Sequence, residues 1–244
     1  MTGFETRIAA AGGGELDTYI ALPGTEPCPG VIIMSSVYGV TADVRAMADD
    51  LAAKGVAVSA PDPFWRGDKG PLGRDEDSAA RAKARGGDRE AIIERGMVDL
   101  DDTIADLKAR PECNGRIAVL GLCYGGPYAI MGPARLGCDA GLAFHGTKID
   151  LYLNWLDKVH VPLSLHWGDL DHAAPPEALA RIRQAVAGMG NAEIVVYPGV
   201  KHGYSEPDDN PSYDADATAK SFARLMEIVE GLRYAGERLA GAAQ

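Results

Sequence analysis

Gly121-Leu122-Cys123-Tyr124-Gly125-Gly126 sets a thiol between glycines just where an apolar, strand-like run gives way to helix-compatible residues. A nucleophile carried on a sharp strand-to-helix turn sits in a strained backbone. The residues two before and two after it crowd the turn unless they lack side chains, and Gly121 and Gly125 meet that demand. The turn also places Cys123 at a helix N-terminus, where the dipole favours the thiolate, and directs the backbone N–H of Tyr124 toward a developing oxyanion. The same residues equally suit a small buried cysteine whose flanking glycines let a helix pack close to a sheet.

A thiol that attacks an acyl carbon needs a histidine to manage its proton and an acid to orient that histidine. Two later loops offer them. Gly168-Asp169-Leu170-Asp171 follows the strand-like VPLSLHWG, and Val200-Lys201-His202-Gly203-Tyr204 follows AEIVVYPG. At this level Asp169 and Asp171 are both eligible. Nucleophile, acid and histidine in that chain order, each on a loop after a strand, is the order of the α/β-hydrolases. His145, His160 and His166 lie in or beside strand patterns and read as core or hydrogen-bonded residues, while His172 follows the acid and lines the same crevice. His166, Asp169 and His172 make a poor metal framework, and no metal site is expected.

The elements that must position these residues are legible as alternation of apolar runs and amphipathic stretches, the mark of an α/β fold with a mostly parallel sheet and helices on both faces. Strands are expected at 30–36, 55–62, 116–123, 140–146, 161–168 and 192–199, rich enough in Val, Ile and Leu to be buried on both sides. Residues 15–24 alternate and suit an antiparallel edge strand. A helix over 41–54 has Thr41 to cap it and Val44, Met47, Ala48 and Leu51 on one face; another over 212–232 carries Phe222, Leu225, Met226, Val229 and Leu232. The stretch from Pro63 to about Gly87 is rich in Gly, Arg and Asp and follows a strand. It is either a wall of the crevice or a mobile surface loop.

With 46% hydrophobic and 24% charged residues in 244, the composition is that of a packed globular domain, and one domain over 1–244 is expected. A net charge of -11 disfavours nucleic acid and anionic membranes as partners. The basic residues Arg74, Arg81, Lys83, Arg85, Arg89 and Arg95 are interleaved with acids and read as a solvated helical face. No signal-peptide pattern or long apolar span is present, and Cys28, Cys113, Cys123 and Cys138 lack disulfide spacing, so the cytoplasm is the expected compartment. GLCYGG lacks a P-loop lysine and a dinucleotide-binding spacing, and no cofactor is expected. Nothing in the sequence sets the oligomeric state.

From GVIIMSSVYGV through GLCYGG and GDLDHAAPPE to KHGYSEP, nearly its whole length, the sequence resembles the dienelactone hydrolase (carboxymethylenebutenolidase) family, the cysteine-using branch of the α/β-hydrolases. The resemblance implies the triad Cys123, Asp171 and His202, with Asp171 selected by the pattern Gly-x-x-Asp and Asp169 left to fix the loop. It implies Val37 N–H as the second oxyanion donor beside Tyr124. It implies a hydrolase of small carboxylic esters or lactones.

The chain also departs from its relatives. Ser36 stands where the best-known members carry a glutamate that holds the thiol proton, and a serine cannot take a full proton at neutral pH. Arg81 matches one of the arginines that clamp a substrate carboxylate, but Glu206 stands four residues after the histidine where another arginine belongs. Either Arg85 compensates or the substrate carries less negative charge. Tyr38, Phe64, Trp65, Tyr124 and Tyr204 are candidates for an aromatic wall of the pocket. The alternative is a non-catalytic binding or redox-sensing protein on the same scaffold, favoured by the changes at Ser36 and Glu206 and disfavoured by an intact Cys, Asp and His.

Overall fold

The apolar runs form strands β1 (Phe4–Ala9), β2 (Glu15–Ala21), β3 (Cys28–Met34), β4 (Ala57–Pro61), β5 (Cys113–Leu122), β6 (Ala140–Phe144), β7 (Leu163–Gly168) and β8 (Ala192–Tyr197). In the computed structural model, which describes residues 3–24, 26–73, 75–207 and 210–233, they make one sheet in the order β1-β2-β4-β3-β5-β6-β7-β8. Strands β3 to β8 run parallel to one another, and β1 and β2 are antiparallel. Arg74 lies outside the described residues.

The six α-helices among the described residues are α1 (Ala42–Ala53), α2 (Glu76–Arg85), α3 (Arg89–Ala109), α4 (Tyr128–Leu136), α5 (Pro176–Val186) and α6 (Ala215–Arg233). Alternate strand residues point to opposite faces. Val31 and Ile33 of β3 pack with Val44, Leu51, Leu225 and Val229 of α1 and α6. Ile32 and Met34 pack on the other face with Ile93, Met97 and Leu100 of α3 and Met131 of α4. α5 closes the far end of that second face through Leu179, Ile182 and Val186, against Leu165 and Trp167. Both faces are thus covered, which explains why the middle strands read as unbroken apolar runs.

Three expectations need correcting. β2 is antiparallel but interior, because β1 pairs with its outer side and takes the edge. The stretch after β4 is not a free loop. Asp62 accepts hydrogen bonds from Phe64 N–H at 2.9 Å and Gly70 N–H at 2.6 Å, and Asp75 caps α2 by accepting from Ser78 N–H at 2.9 Å. The basic residues are also not all on a solvated face, since the Arg85 side chain is only 2% exposed.

The chain order creates a crevice. β3 leaves through α1 toward β4 on one side, whereas β5 leaves through α4 toward β6 on the other, so the loops at the carboxyl ends of the neighbouring strands β3 and β5 diverge. In open parallel sheets that divergence is where ligands bind. Val37 follows β3 and Cys123 follows β5, one on each side.

Candidate active site

β5 ends at Leu122, and the chain turns at once into a single 3-10 turn, Cys123–Gly125, before α4. Cys123 has φ 48°, left-handed for a residue with a side chain; such a conformation costs about 1–3 kcal/mol and persists only where its surroundings fix it. Glycines make the turn possible. A Cβ on Gly121 would stand 2.2 Å from Gly125 O, and one on Gly125 would stand 2.1 Å from Met34 O. The second figure also shows how closely the end of β3 is pressed against the turn. Cys123 O accepts from Thr147 N–H at 2.8 Å and Gly126 N–H at 3.0 Å, which locks the bend to the loop after β6.

The structure brings the three expected residues together. His202 Nε2 lies 3.2 Å from Cys123 Sγ, and His202 Nδ1 lies 2.9 Å from both carboxylate oxygens of Asp171. The Asp171 side chain is fully buried and also accepts from Ala173 N–H at 2.8 Å, while His202 keeps 16% of its side chain exposed. Burial by itself would lower the pKa of His202. The hydrogen bonds with Asp171 and Cys123 and the two negative charges outweigh it and raise that pKa to about 10. Asp169 accepts from Gly199 N–H at 2.7 Å and ties the loop after β7 to the loop after β8, the fixing role expected of it.

Val37 and Tyr124 sit on the two sides of the crevice. Ser36 Oγ accepts from Tyr38 N–H at 3.2 Å and Ser36 O from Gly39 N–H at 3.0 Å, a serine-led turn that fixes the intervening Val37 peptide. Tyr124 lies in the first turn after Cys123, where helix N–H groups have no partner within the helix. Its ring is buried, 6.0 Å from that of Phe64.

Other expected site residues are placed elsewhere. The Arg85 guanidinium donates to Val37 O at 3.0 Å, to Gly70 O at 2.8 Å and to Asp68 O, with its charged plane 4.5 Å from the Phe64 ring centre. It braces loops. Arg81 is on the surface in an ion pair with Asp68. Trp65 donates through Nε1 to Asp99 at 3.2 Å and packs on Ile8, Ala10 and Leu16 near the β1–β2 edge. Tyr204 is fully buried with its hydroxyl 2.7 Å from Ser221 Oγ, so it belongs to the core and not to an open wall. Glu206 is buried in the same loop as His202, its N–H donating to Gly203 O at 3.2 Å. Tyr38 is partly exposed, and its C=O accepts from Leu72 N–H at 2.8 Å.

Two residues beside the site have no site role in the sequence reading, which puts Arg89 on a solvated face and His145 among core or hydrogen-bonded residues. Arg89, at the start of α3, donates to Tyr124 O and Thr147 O, both at 2.9 Å, and lies 4.2 Å over the Tyr124 ring. His145, just past β6, packs on His202. The available signal for His145 was its place at the carboxyl end of the strand beside β5; Arg89 was hidden in a run of mixed charge. Among the described residues no group of three or more His, Cys, Asp or Glu side chains is arranged to hold a metal ion. No helix among them is long and apolar enough to cross a membrane.

The sheet order, with a strained turn after β5 and the acid and histidine loops after β7 and β8, is that of the α/β-hydrolase fold, and solved structures agree. A dienelactone hydrolase-like promiscuous phosphotriesterase from metagenomic libraries superposes with TM-score 0.75 at 20% identity, over 95% of this chain and 99% of that one. An esterase of Pyrococcus furiosus does so with TM-score 0.69 at 20% identity, over 93% of each. The chain belongs to the dienelactone hydrolase family, whose pattern it matches over residues 16–232. Carboxymethylenebutenolidase 1 of Cupriavidus pinatubonensis is 27% identical over 226 residues, 93% of this chain and 96% of the relative. The protein is a dienelactone hydrolase-like hydrolase.

Proposed function

We propose that this protein hydrolyses small carboxylic esters or lactones with Cys123 as nucleophile, His202 as general base and acid, and Asp171 as the group that orients the imidazole. The observation that carries the reading is the continuous hydrogen-bonded chain from Asp171 through His202 to a sulfur on a strained turn. An imidazolium donating to sulfur favours the thiolate, so His202 supplies the activation that Ser36 cannot. The sulfur attacks the acyl carbon, and the oxyanion is held by the N–H groups of Val37 and Tyr124. The C–O bond to the alcohol breaks as His202 gives its proton to the leaving oxygen, leaving a thioester. His202 then takes a proton from water, the hydroxide displaces sulfur, the acid departs, and the proton on His202 returns the imidazolium–thiolate pair.

The substrate we favour carries no free carboxylate, because Arg81 and Arg85 are engaged with Asp68 and backbone carbonyls. Tyr38 follows Val37 directly, and the Phe64 ring lies 6.0 Å from that of Tyr124, so both border the loops that carry the two N–H donors. A binder without catalysis has no need of a strained sulfur aligned with a buried carboxylate.

Cys123→Ala and His202→Ala are each expected to lower hydrolysis of a small activated ester such as nitrophenyl acetate on the order of 10³-fold or more while melting temperature and circular dichroism stay near wild type. Retained turnover in either folded variant refutes the assignment. Uncharged lactones and esters should show higher kcat/KM than analogues with a free carboxylate.

A further inference from the structure

His202 lies between two other histidine rings. His172 is exposed, its ring centre 5.3 Å away at an interplanar angle of 67°; His145 is on the inner side, 5.0 Å away at 75°, and fully buried. His145 holds an expensive position. Its φ is 42°, so it joins Cys123 and Lys148 as the left-handed residues other than glycine among those described. It and Cys123 end neighbouring strands, and both touch His202. Strain of this kind concentrates where function over-determines a conformation.

The polar atoms of His145 are equally constrained. Nε2 lies 2.9 Å from Ser205 Oγ, and Nδ1 is buried with no hydrogen-bond partner among the described residues. A buried acceptor left empty costs less than a buried N–H left without an acceptor, which assigns the proton to Nε2 and makes Ser205 Oγ its acceptor. Burial, with the nearby His202, holds the His145 pKa well below 6.5, so the ring is neutral. Ser205 is three residues past His202, so His145 grips both the ring of His202 and the loop that carries it.

We propose that His145 is a positioning residue for His202: its strained, neutral ring, tied to Ser205, fixes the plane in which His202 faces Asp171 on one side and Cys123 on the other. This rests on the reading of His202 as the base. The titratable groups around His202 are Cys123 after β5, His145 after β6, and Asp171 and His172 after β7; the Tyr204 ring backs His145 at 5.3 Å. Without the inner ring His202 has room to turn, and its two hydrogen bonds weaken together.

Two substitutions separate ring from hydrogen bond. His145→Asn tolerates a left-handed backbone but has no ring and stops short of Ser205, since its amide reaches only as far as Nδ1 of the imidazole and the contact is made by Nε2; His145→Phe keeps a ring and drops the hydrogen bond, so the difference between the two reports the ring. Each is read by kcat and KM for nitrophenyl acetate, by melting temperature, and by the pH dependence of Cys123 alkylation with iodoacetamide. His145→Asn is expected to lose roughly 10- to 100-fold in kcat with KM within about twofold. Its alkylation profile should move toward that of an ordinary thiol near about 8.5. His145→Phe should keep kcat within about fivefold, the larger part of what the ring supplies. If His145→Asn retains kcat and the wild-type alkylation profile, or if losses in both variants merely follow melting temperature, the inference is wrong; should the Phe variant not fold, the Asn variant decides. An ordinary alkylation profile in the wild type overturns the proposed function along with this inference, whereas a coupled wild-type thiol left unchanged by His145→Asn overturns this inference alone.

Discussion

Cys123 keeps its left-handed backbone because nothing around it can yield. The would-be Cβ of Gly125 points at a backbone carbonyl of β3, which cannot swing aside as a side-chain end would. Gly125→Ala is therefore expected to cost roughly 2–4 kcal/mol of stability, read as a fall in urea midpoint. It should also lower kcat disproportionately, since relief of the clash has to separate the turn from Val37. A variant with wild-type midpoint and turnover would show that the loops have slack. These glycines, the thiol and the order of acid and histidine were legible because backbone crowding and chain order are properties of the sequence itself. The places of Trp65, Tyr204 and Arg85 were not legible. An aromatic ring or a guanidinium near a site in sequence turns inward or outward according to partners such as Asp99, Ser221 and the Val37 carbonyl, which come from distant segments.

At the scale of elements, α2 delivers Arg85 from its last turn into the space between the loops after β3 and β4. Burial lowers the pKa of that guanidinium, yet it stays charged because the carbonyls it serves and the Asp68 carboxylate offset the lost water. A lysine offers no planar fork, so Arg85→Lys leaves carbonyls unpaired and is expected to destabilise the fold by roughly 3 kcal/mol. The Val37 loop should loosen with it, lowering kcat/KM for uncharged esters; unchanged kinetics in a destabilised variant would confine Arg85 to folding. The central strands were readable as apolar runs, α1 from its cap and stripe, and α6 from its stripe. α3 escaped because Ile93, Met97, Leu100, Ile104 and Leu107 form a narrow stripe among many charges. β1 escaped because only one of its residues is fully buried.

For the whole molecule, the buried histidines set opposing responses to pH. His166, hydrogen-bonded to Ser164 and Tyr197 at 2.8 Å each, has its pKa lowered to about 4 by burial, and that of His145 is lower than normal for the same reason. The unfolded chain takes up protons near pH 6.5 that these folded rings refuse, so stability falls as pH drops from 6.5 toward 4. His202 acts with the other sign: with its pKa raised to about 10, the stability it contributes is fully present below 6.5 and is lost as pH rises through 10. Urea titrations at several pH values should show that the stability gap between wild type and His166→Gln narrows from pH 7 to pH 4. A constant gap would mean that His166 is already charged in the fold. That the sheet places its crevice between β3 and β5 was implicit in the sequence only once the strand order was known, since the reversal depends on which way each helix crosses.

Of the four cysteines, three are enclosed and only Cys123 is partly open. Cys28 and Cys113 pair at the amino ends of β3 and β5, and Cys138 lies just before β6 begins, all at the opposite rim of the sheet from Cys123. Nine residues of extended chain, roughly 30 Å, separate the two cysteines that bracket β5. Peroxide that converts Cys123 to a sulfenic acid therefore meets no internal partner able to trap it as a disulfide, and rescue before over-oxidation falls to small thiols from outside.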